Sequence, residues 1–347
     1  MSALPELRPI AAPADARSGF LVAGSGSIGR RHVENLRRLG EKDASLYRTG
    51  HRDPRAPVVD APADFDLGRA LAARPLAVLV CNPSALHLEV ALAAARAGAH
   101  ILVEKPLAHA REGVQALADE VRRQGLVALV GFQYRFHPGL RRVKEWLEDG
   151  ALGPVVSARV RWGEDVTTWH PGEDWRRSYA ARRDLGGGAV RTLCHPFDYL
   201  RWLLGDVESV SAATSSDALR LDVEDLAHVV LRFASGSLAT VTLDYLQRPR
   251  AHGLEIVGTR GWISWSDDDG AARLHDTARG RQALFHPPPA FSRNSMFLDE
   301  MRHFLACLGG RETPQCSLEE GRAALEIALA ALRAAEEGRR VTIGAAA

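Results

Sequence analysis

Apolar residues come in two textures along this chain. In the first part, short and almost wholly apolar runs at Phe20–Ala23 and at residues 76–80, 100–103 and 126–130 are too brief for helices and rich in branched side chains. They read as strands buried on both faces, and residues 44–48 supply one more. Between them the pattern switches to helical spacing. Val33, Leu36 and Leu39 mark a helix that ends near Gly40, an alanine-rich helix covers residues 86–97, and another covers 111–123. Strand followed by helix, repeated, predicts a doubly wound parallel sheet. From Val155 the texture changes to runs at residues 155–161, 207–213, 227–233, 237–245, 254–257 and 262–265, several alternating with period two. These predict a mostly antiparallel sheet. A helix near the end opens with Ser317-x-x-Glu320, a capping box, carries Leu325, Leu329 and Leu332 on one face and stops at Gly338.

Composition narrows the class. A chain of 347 residues with 46% hydrophobic and 25% charged residues reads as a soluble two-domain protein. The division expected is a mobile tail over 1–18, a dinucleotide-binding domain over 19–138 and a second domain over 139–347, with the helix at 317–337 packing back on the first domain. Lys and Arg number 44 and Asp and Glu 43, so no basic excess steers the protein to nucleic acid or to anionic lipid. The start of the chain has no apolar core of a signal peptide, and no run has the length of a spanning helix. Cys81, Cys194, Cys307 and Cys316 are scattered without a CxxC pair, which fits a reducing cytoplasm and no zinc site. Asp267-Asp268-Asp269-Gly270 lacks calcium-loop spacing and reads as a hairpin turn.

The chemistry concentrates at predicted strand ends. Phe20–Ala23 runs into Gly24-Ser25-Gly26-Ser27-Ile28-Gly29 and then a helix, the order a dinucleotide needs. Gly24 permits the tight turn, Gly26 lets the backbone approach a pyrophosphate, Gly29 lets helix and strand pack closely, and the helix start offers free N–H groups. Where the second strand ends, an acid would select NAD through the ribose. Arg48 and Thr49 stand there instead and suit a 2′-phosphate, so NADP is preferred over NAD. Asn82 and Pro83 break the next strand. Lys105, stiffened by Pro106, follows the strand ending at Glu104 and reaches the crevice where open α/β sheets bind ligands. An amine held there can trade a proton with a substrate hydroxyl. In the second half, Gly186-Gly187-Gly188 allows close backbone approach, and the helix beyond it presents His195 and Asp198 on one side. Those two have no third ligand at metal spacing, so no metal is expected. Arg176, Arg177, Arg182 and Arg183 suit either an acidic substrate or a solvated face, and the face is favoured.

The set Gly24-x-Gly26-x-Ile28-Gly29-x-x-His32, Asn82-Pro83 with His87, Glu104-Lys105-Pro106 and Gly131-Phe132-Gln133-Tyr134-Arg135-Phe136-His137-Pro138 resembles the Gfo/Idh/MocA family of NAD(P)-dependent oxidoreductases. The resemblance covers nearly the whole chain. It implies an N-terminal Rossmann domain, a C-terminal α+β domain with a large open sheet, and action on sugars, cyclitols and related polyols as a homodimer or homotetramer. It places Ser27, His87, Glu104 and Lys105 with the glycines at the cofactor. Lys105 and His195 fall at proton transfer, and Arg135, Trp169, Thr192 and Asp198 join His195 around the substrate. One position departs: Thr192 stands where the family's shorter motif carries an acid. The expected reaction is hydride transfer between nicotinamide and a ring carbon. The alternatives are an NAD-dependent glycosidase of the same fold and a cofactor-binding sensor that has lost catalysis.

Overall fold

The structure, a computed structural model, describes residues 17–48 and 60–344. Thr49 and nearly all of the expected N-terminal tail lie outside the described residues. The first part comprises β1 (Phe20–Ala23), α1 (Ser27–Arg38), β2 (Ala44–Tyr47), β3 (Ala63–Asp64), α2 (Leu67–Ala72), β4 (Ala77–Val80), α3 (His87–Arg96), β5 (His100–Glu104), α4 (Val114–Gln124) and β6 (Ala128–Gly131). The strands pair in parallel in the order β3-β2-β1-β4-β5-β6. β1, β4 and β6 are buried at every position because helices cover both faces, which is why they read as unbroken apolar runs. Register aligns the strand ends: Ala23 lies opposite Tyr47 and Val80, Val80 opposite Val103, and Glu104 opposite Gly131. Gly24, Asn82 and Lys105 therefore emerge along one edge, at the place where strand order reverses between β1 and β4.

The second part begins with α5 (Pro138–Glu148) and β7 (Val155–Gly163), then a run of short 3-10 turns, and α6 (Ala189–Thr192) with α7 (His195–Leu204). Next come β8 (Val207–Ser215), β9 (Leu226–Phe233), β10 (Leu238–Asp244), β11 (Ala251–Gly258), β12 (Gly261–Ser266), β13 (Ala272–Asp276) and β14 (Arg281–Phe285). α8 (Arg293–Leu308), α9 (Leu318–Glu337) and β15 (Val341–Thr342) close the chain. The strands form one sheet, β14-β13-β12-β11-β7-β10-β9-β8-β15, antiparallel except where β10 pairs with β7. Period-two alternation carries Val160, Trp162, Val229, Leu231, Val241, His252, Leu254 and Trp265 to the inner face. The outer face leaves Val230, Leu238 and Val257 exposed. Residues 267–270 make the β12–β13 turn, with Gly270 at positive φ.

The last two long helices return to the first sheet. Met301 and Phe304 of α8 complete an apolar cluster with Phe20, Val22, Val33, Leu36, Leu79 and Leu102. α9 lies on β6 so closely that a Cβ on Gly321 would stand 2.5 Å from Val130 Cγ2. Ser317 caps α9 by accepting from the Glu320 amide at 3.3 Å, but the reciprocal half of the expected capping box is absent. The Glu320 carboxylate instead binds Arg135 and Arg201 at 2.6 and 2.7 Å, since ionic partners outcompete a main-chain amide for it.

Candidate active site

The glycine turn after β1 is shaped for a bound anion. Gly24 sits at φ 118°, and a Cβ there would approach the Cys81 carbonyl carbon to 2.7 Å, so only glycine fits between the ends of β1 and β4. A Cβ on Gly29 would collide with the main-chain oxygen of Gly24. Gly26 differs: it is exposed, has nothing within 4 Å of its Cβ position and caps α1 without any side-chain hydrogen bond. Ser27 and Ile28 begin a helix with no acidic residue in its first turn, so its amides keep their positive field for a phosphate. Nearby, Asn82 is buried with Oδ1 unpartnered while Nδ2 donates to Leu86 at 3.3 Å, and Pro83 turns the chain into α3. Arg48, at the end of β2, has a buried Nε without a partner. An open glycine turn at a helix start, with unpartnered polar atoms of Asn82 and Arg48 at the neighbouring strand ends, fits a dinucleotide.

Lys105 is half-buried at the end of β5, and its Nζ donates to the main-chain oxygen of Thr192 at 2.7 Å. Burial works against the ammonium, but the acidic groups of Tyr179, Cys194 and Glu104 prevail and raise its pKa above the ordinary lysine value. The lysine is thus held as the ammonium at neutral pH. Its neighbour Glu104 turns away and bonds buried His32 at 2.7 Å. Burial pushes the Glu104 carboxyl up, yet His32, Lys105 and His87 bring it below its usual value. His87 spans the carbonyls of Pro106 and Asn82 at 2.9 and 2.8 Å. Glu104 and His87, expected at the cofactor, bond within the protein beneath the strand ends that carry Asn82 and Lys105. Behind them lies Glu300 of α8, fully buried with both carboxyl oxygens unpartnered. Its burial, with Glu104 and Asp198 nearby, pushes its pKa well above the ordinary glutamate value.

From the second domain, α6 and α7 deliver Thr192 and His195. His195 is buried, its Nδ1 has no partner, and burial together with Lys105, His252 and Arg293 drives its pKa well below the ordinary histidine value. It is a neutral imidazole walled by Phe132, Tyr134 and Trp162, with ring centroids at 5.5, 4.9 and 5.5 Å. Trp169 packs edge-on to Tyr245 at 5.7 Å and keeps a buried, unpartnered Nε1. Thr192 supplies its carbonyl to Lys105, so the departure at this position leaves the lysine anchored through main chain.

Arg135 and Asp198 meet each other inside the protein. Expected to hold substrate, they are buried against each other in a bidentate pair, Nη2 to Oδ1 at 2.6 Å and Nε to Oδ2 at 3.0 Å. Arg135 also donates to the Gln315 carbonyl and to Glu320, both at 2.6 Å. Burial disfavours its cation, but Asp198 reverses the balance and holds the guanidinium above its ordinary pKa. The pair joins the Gln133–Phe136 turn to α7 and, through Glu320, to α9. Sequence reasoning missed Arg293, which opens α8 and whose charge bears on Lys105, His195, Tyr134 and His252. The Ser292 capping box was the local signal that a helix starts there.

The chain is similar over most of its length to known proteins. Residues 18–132 match the model described as "Oxidoreductase family, NAD-binding Rossmann fold", and residues 140–264 match that of the "GFO/IDH/MocA C-terminal domain". The chain is 30% identical to levoglucosan dehydrogenase of Pseudarthrobacter phenanthrenivorans over 67% of its length and 61% of that enzyme. It is 28% identical to myo-inositol 2-dehydrogenase of Thermotoga maritima over 93% of its length and 97% of that enzyme. Among solved structures, a levoglucosan dehydrogenase complex with NADH superposes with a TM-score of 0.82 at 21% identity, covering 94% of this chain and 99% of the other. GenD2 from gentamicin A biosynthesis, in complex with NAD, gives 0.79 at 26% identity over 98% of this chain and all of the other.

Proposed function

The chain belongs to the Gfo/Idh/MocA family of oxidoreductases, and from that premise we propose that it exchanges a hydride between a nicotinamide cofactor and a hydroxyl-bearing ring carbon of a sugar, sugar derivative or cyclitol. The observation that carries the reading is Lys105, held at 2.7 Å by the Thr192 carbonyl at the strand edge that also carries the glycine turn. When bound, the cofactor supplies or accepts the hydride. The protein positions and moves the proton.

The Thr192 oxygen takes one N–H of Lys105 and leaves the others for a substrate oxygen. In reduction the ammonium donates its proton to the oxygen of the carbon being reduced. In oxidation the neutral amine receives the hydroxyl proton, a form that its raised pKa makes scarce at neutral pH. His195, held neutral, hydrogen-bonds the same or an adjacent hydroxyl and shares the proton. Trp169 offers its indole N–H as a further donor. The cofactor is NADP in preference to NAD, with Arg48 pairing the 2′-phosphate. The outer face of the second sheet, with Val230, Leu238 and Val257 exposed, mates two copies into a homodimer or homotetramer.

The test is an initial-rate screen with NAD and NADP against neutral sugars, anhydrosugars and inositols, in parallel with thermal shift. Turnover of at least one polyol is expected. Polyols that stabilise the cofactor-loaded protein without any of them reacting would sink the enzymatic reading in favour of a sensor.

A further inference from the structure

We infer that His252, which touches neither the cleft nor solvent, is the residue that positions His195. This rests on the role given above to His195 in the reaction. His252 is 2% exposed on the inner face of β11, directly across from Trp162 on β7. Its ring stacks on that indole at 4.2 Å and 11°, and the indole in turn stacks on His195 at 5.5 Å and 24°. On its other side His252 meets the ring of Tyr134 at 5.0 Å, and Tyr134 stands edge-on to His195 at 4.9 Å. Two of the three rings that wall His195 thus rest on one imidazole.

Polar contacts lock both walls in a closed circuit. Trp162 donates to Glu164 at 2.8 Å, Arg250 donates to Glu164 at 3.1 Å and pairs with Asp267, and Tyr134 donates to Asp267 at 3.3 Å. The Tyr134 hydroxyl has one proton and gives it to Asp267, so it accepts from His252 Nδ1 at 3.3 Å. His252 Nε2 is then the acceptor for the Tyr199 hydroxyl at 3.1 Å. One tautomer of His252 satisfies every link, and burial, with Arg250, His137 and Arg293 facing the ring, keeps it neutral. Asp267, whose run of carboxylates reads in sequence only as a turn, is the corner of this circuit.

The consequence is directional. A buried imidazole with an unpartnered Nδ1 is free to rotate unless its walls are rigid, and a small misalignment of an acid–base group costs rate rather than cofactor binding. The experiment compares His252→Phe, which keeps a ring on Trp162 but removes both nitrogens, with His252→Asn, which restores a donor toward Tyr134. On the polyol that the wild type turns over, His252→Phe is expected to lower kcat on the order of tenfold with the cofactor dissociation constant unchanged, and His252→Asn to recover part of the loss. Tyr134→Phe breaks the same link, so the double variant with His252→Phe loses no more than the worse single one. Histidine NMR of labelled protein reads the ring of His195 without turnover: its signal broadens or changes tautomer pattern in His252→Phe and sharpens again in His252→Asn. Additive kinetic losses, or a lowered melting temperature with the His195 signal and kcat unchanged, overturn the inference. His195→Ala with undiminished turnover removes His195 from the reaction, and the NMR comparison still decides whether His252 positions it.

Discussion

Arg135 and Asp198 lie 63 residues apart and meet as a bidentate ion pair in the interior, where the Gln133–Phe136 turn meets α7. Removing Asp198 leaves the buried guanidinium with only the part-exposed Glu320 and the Gln315 carbonyl against its charge. Asp198→Ala is therefore expected to cost about 3–5 kcal/mol of stability, read by chemical denaturation. If instead stability holds and only the Michaelis constant for the polyol rises, Asp198 is a substrate ligand after all.

The glycine turn makes two opposite predictions within six residues. Gly26→Ala meets no protein atom, so the melting temperature stays within about 1 °C while cofactor affinity falls at least about tenfold, because the new methyl occupies phosphate space. Gly29→Ala, driven into the Gly24 carbonyl, lowers the melting temperature itself. Calorimetric titration alongside thermal denaturation separates the two.

The raised pKa of Lys105 sets the sign of the pH dependence. Oxidation needs the free amine, so its kcat climbs with pH through the neutral and mildly alkaline range. Reduction needs the ammonium and stays level over the same range. Lys105→Ala should lower both rates at least about a hundredfold with the cofactor dissociation constant nearly unchanged. A variant near wild-type rate would make Lys105 an ordinary loop lysine.

Arg48→Ala should raise the dissociation constant for NADP at least about tenfold while leaving that for NAD within about twofold. Equal affinity of the wild type for both cofactors would remove the basis for the NADP preference.

Glu300 carries a stability prediction. Its folded pKa lies above the unfolded one, so the native state binds the extra proton, and stability falls as pH rises above the ordinary glutamate range. Glu300→Gln abolishes that loss: the melting temperature rises by at least about 2 °C at and above neutral pH and changes little near pH 4. An unchanged difference across the pH range would mean that the carboxyl is ionised and paired in solution.

Much of the fold was legible because its signals are local. The apolar runs of β1 and β4 to β6, the glycine spacing before α1 and the alternation in β7 to β12 each declare themselves within ten residues or so. The site was legible where main chain decides it, at Gly24, Gly29 and the strand end before Lys105. It was not legible where side chains choose partners across the fold. Nothing near Arg135 says that Asp198 will neutralise it, and nothing near Glu104 distinguishes a cofactor contact from a bond to His32. β13 and β14 escaped the reading because they are short and mixed in character, and α8 because Glu300 and His303 are buried with Met301 and Phe304, which blurs its amphipathic pattern.

The return of α8 to the first sheet has a consequence for how the protein is made. Phe20, Val22, Leu36 and Leu79 are all synthesised early, yet the cluster that buries them is finished by Met301 and Phe304. On the ribosome, the part of this sheet face that α1 does not cover therefore waits for its packing until more than two hundred residues beyond Leu79 have been added, and until then it is apolar surface open to non-native contacts.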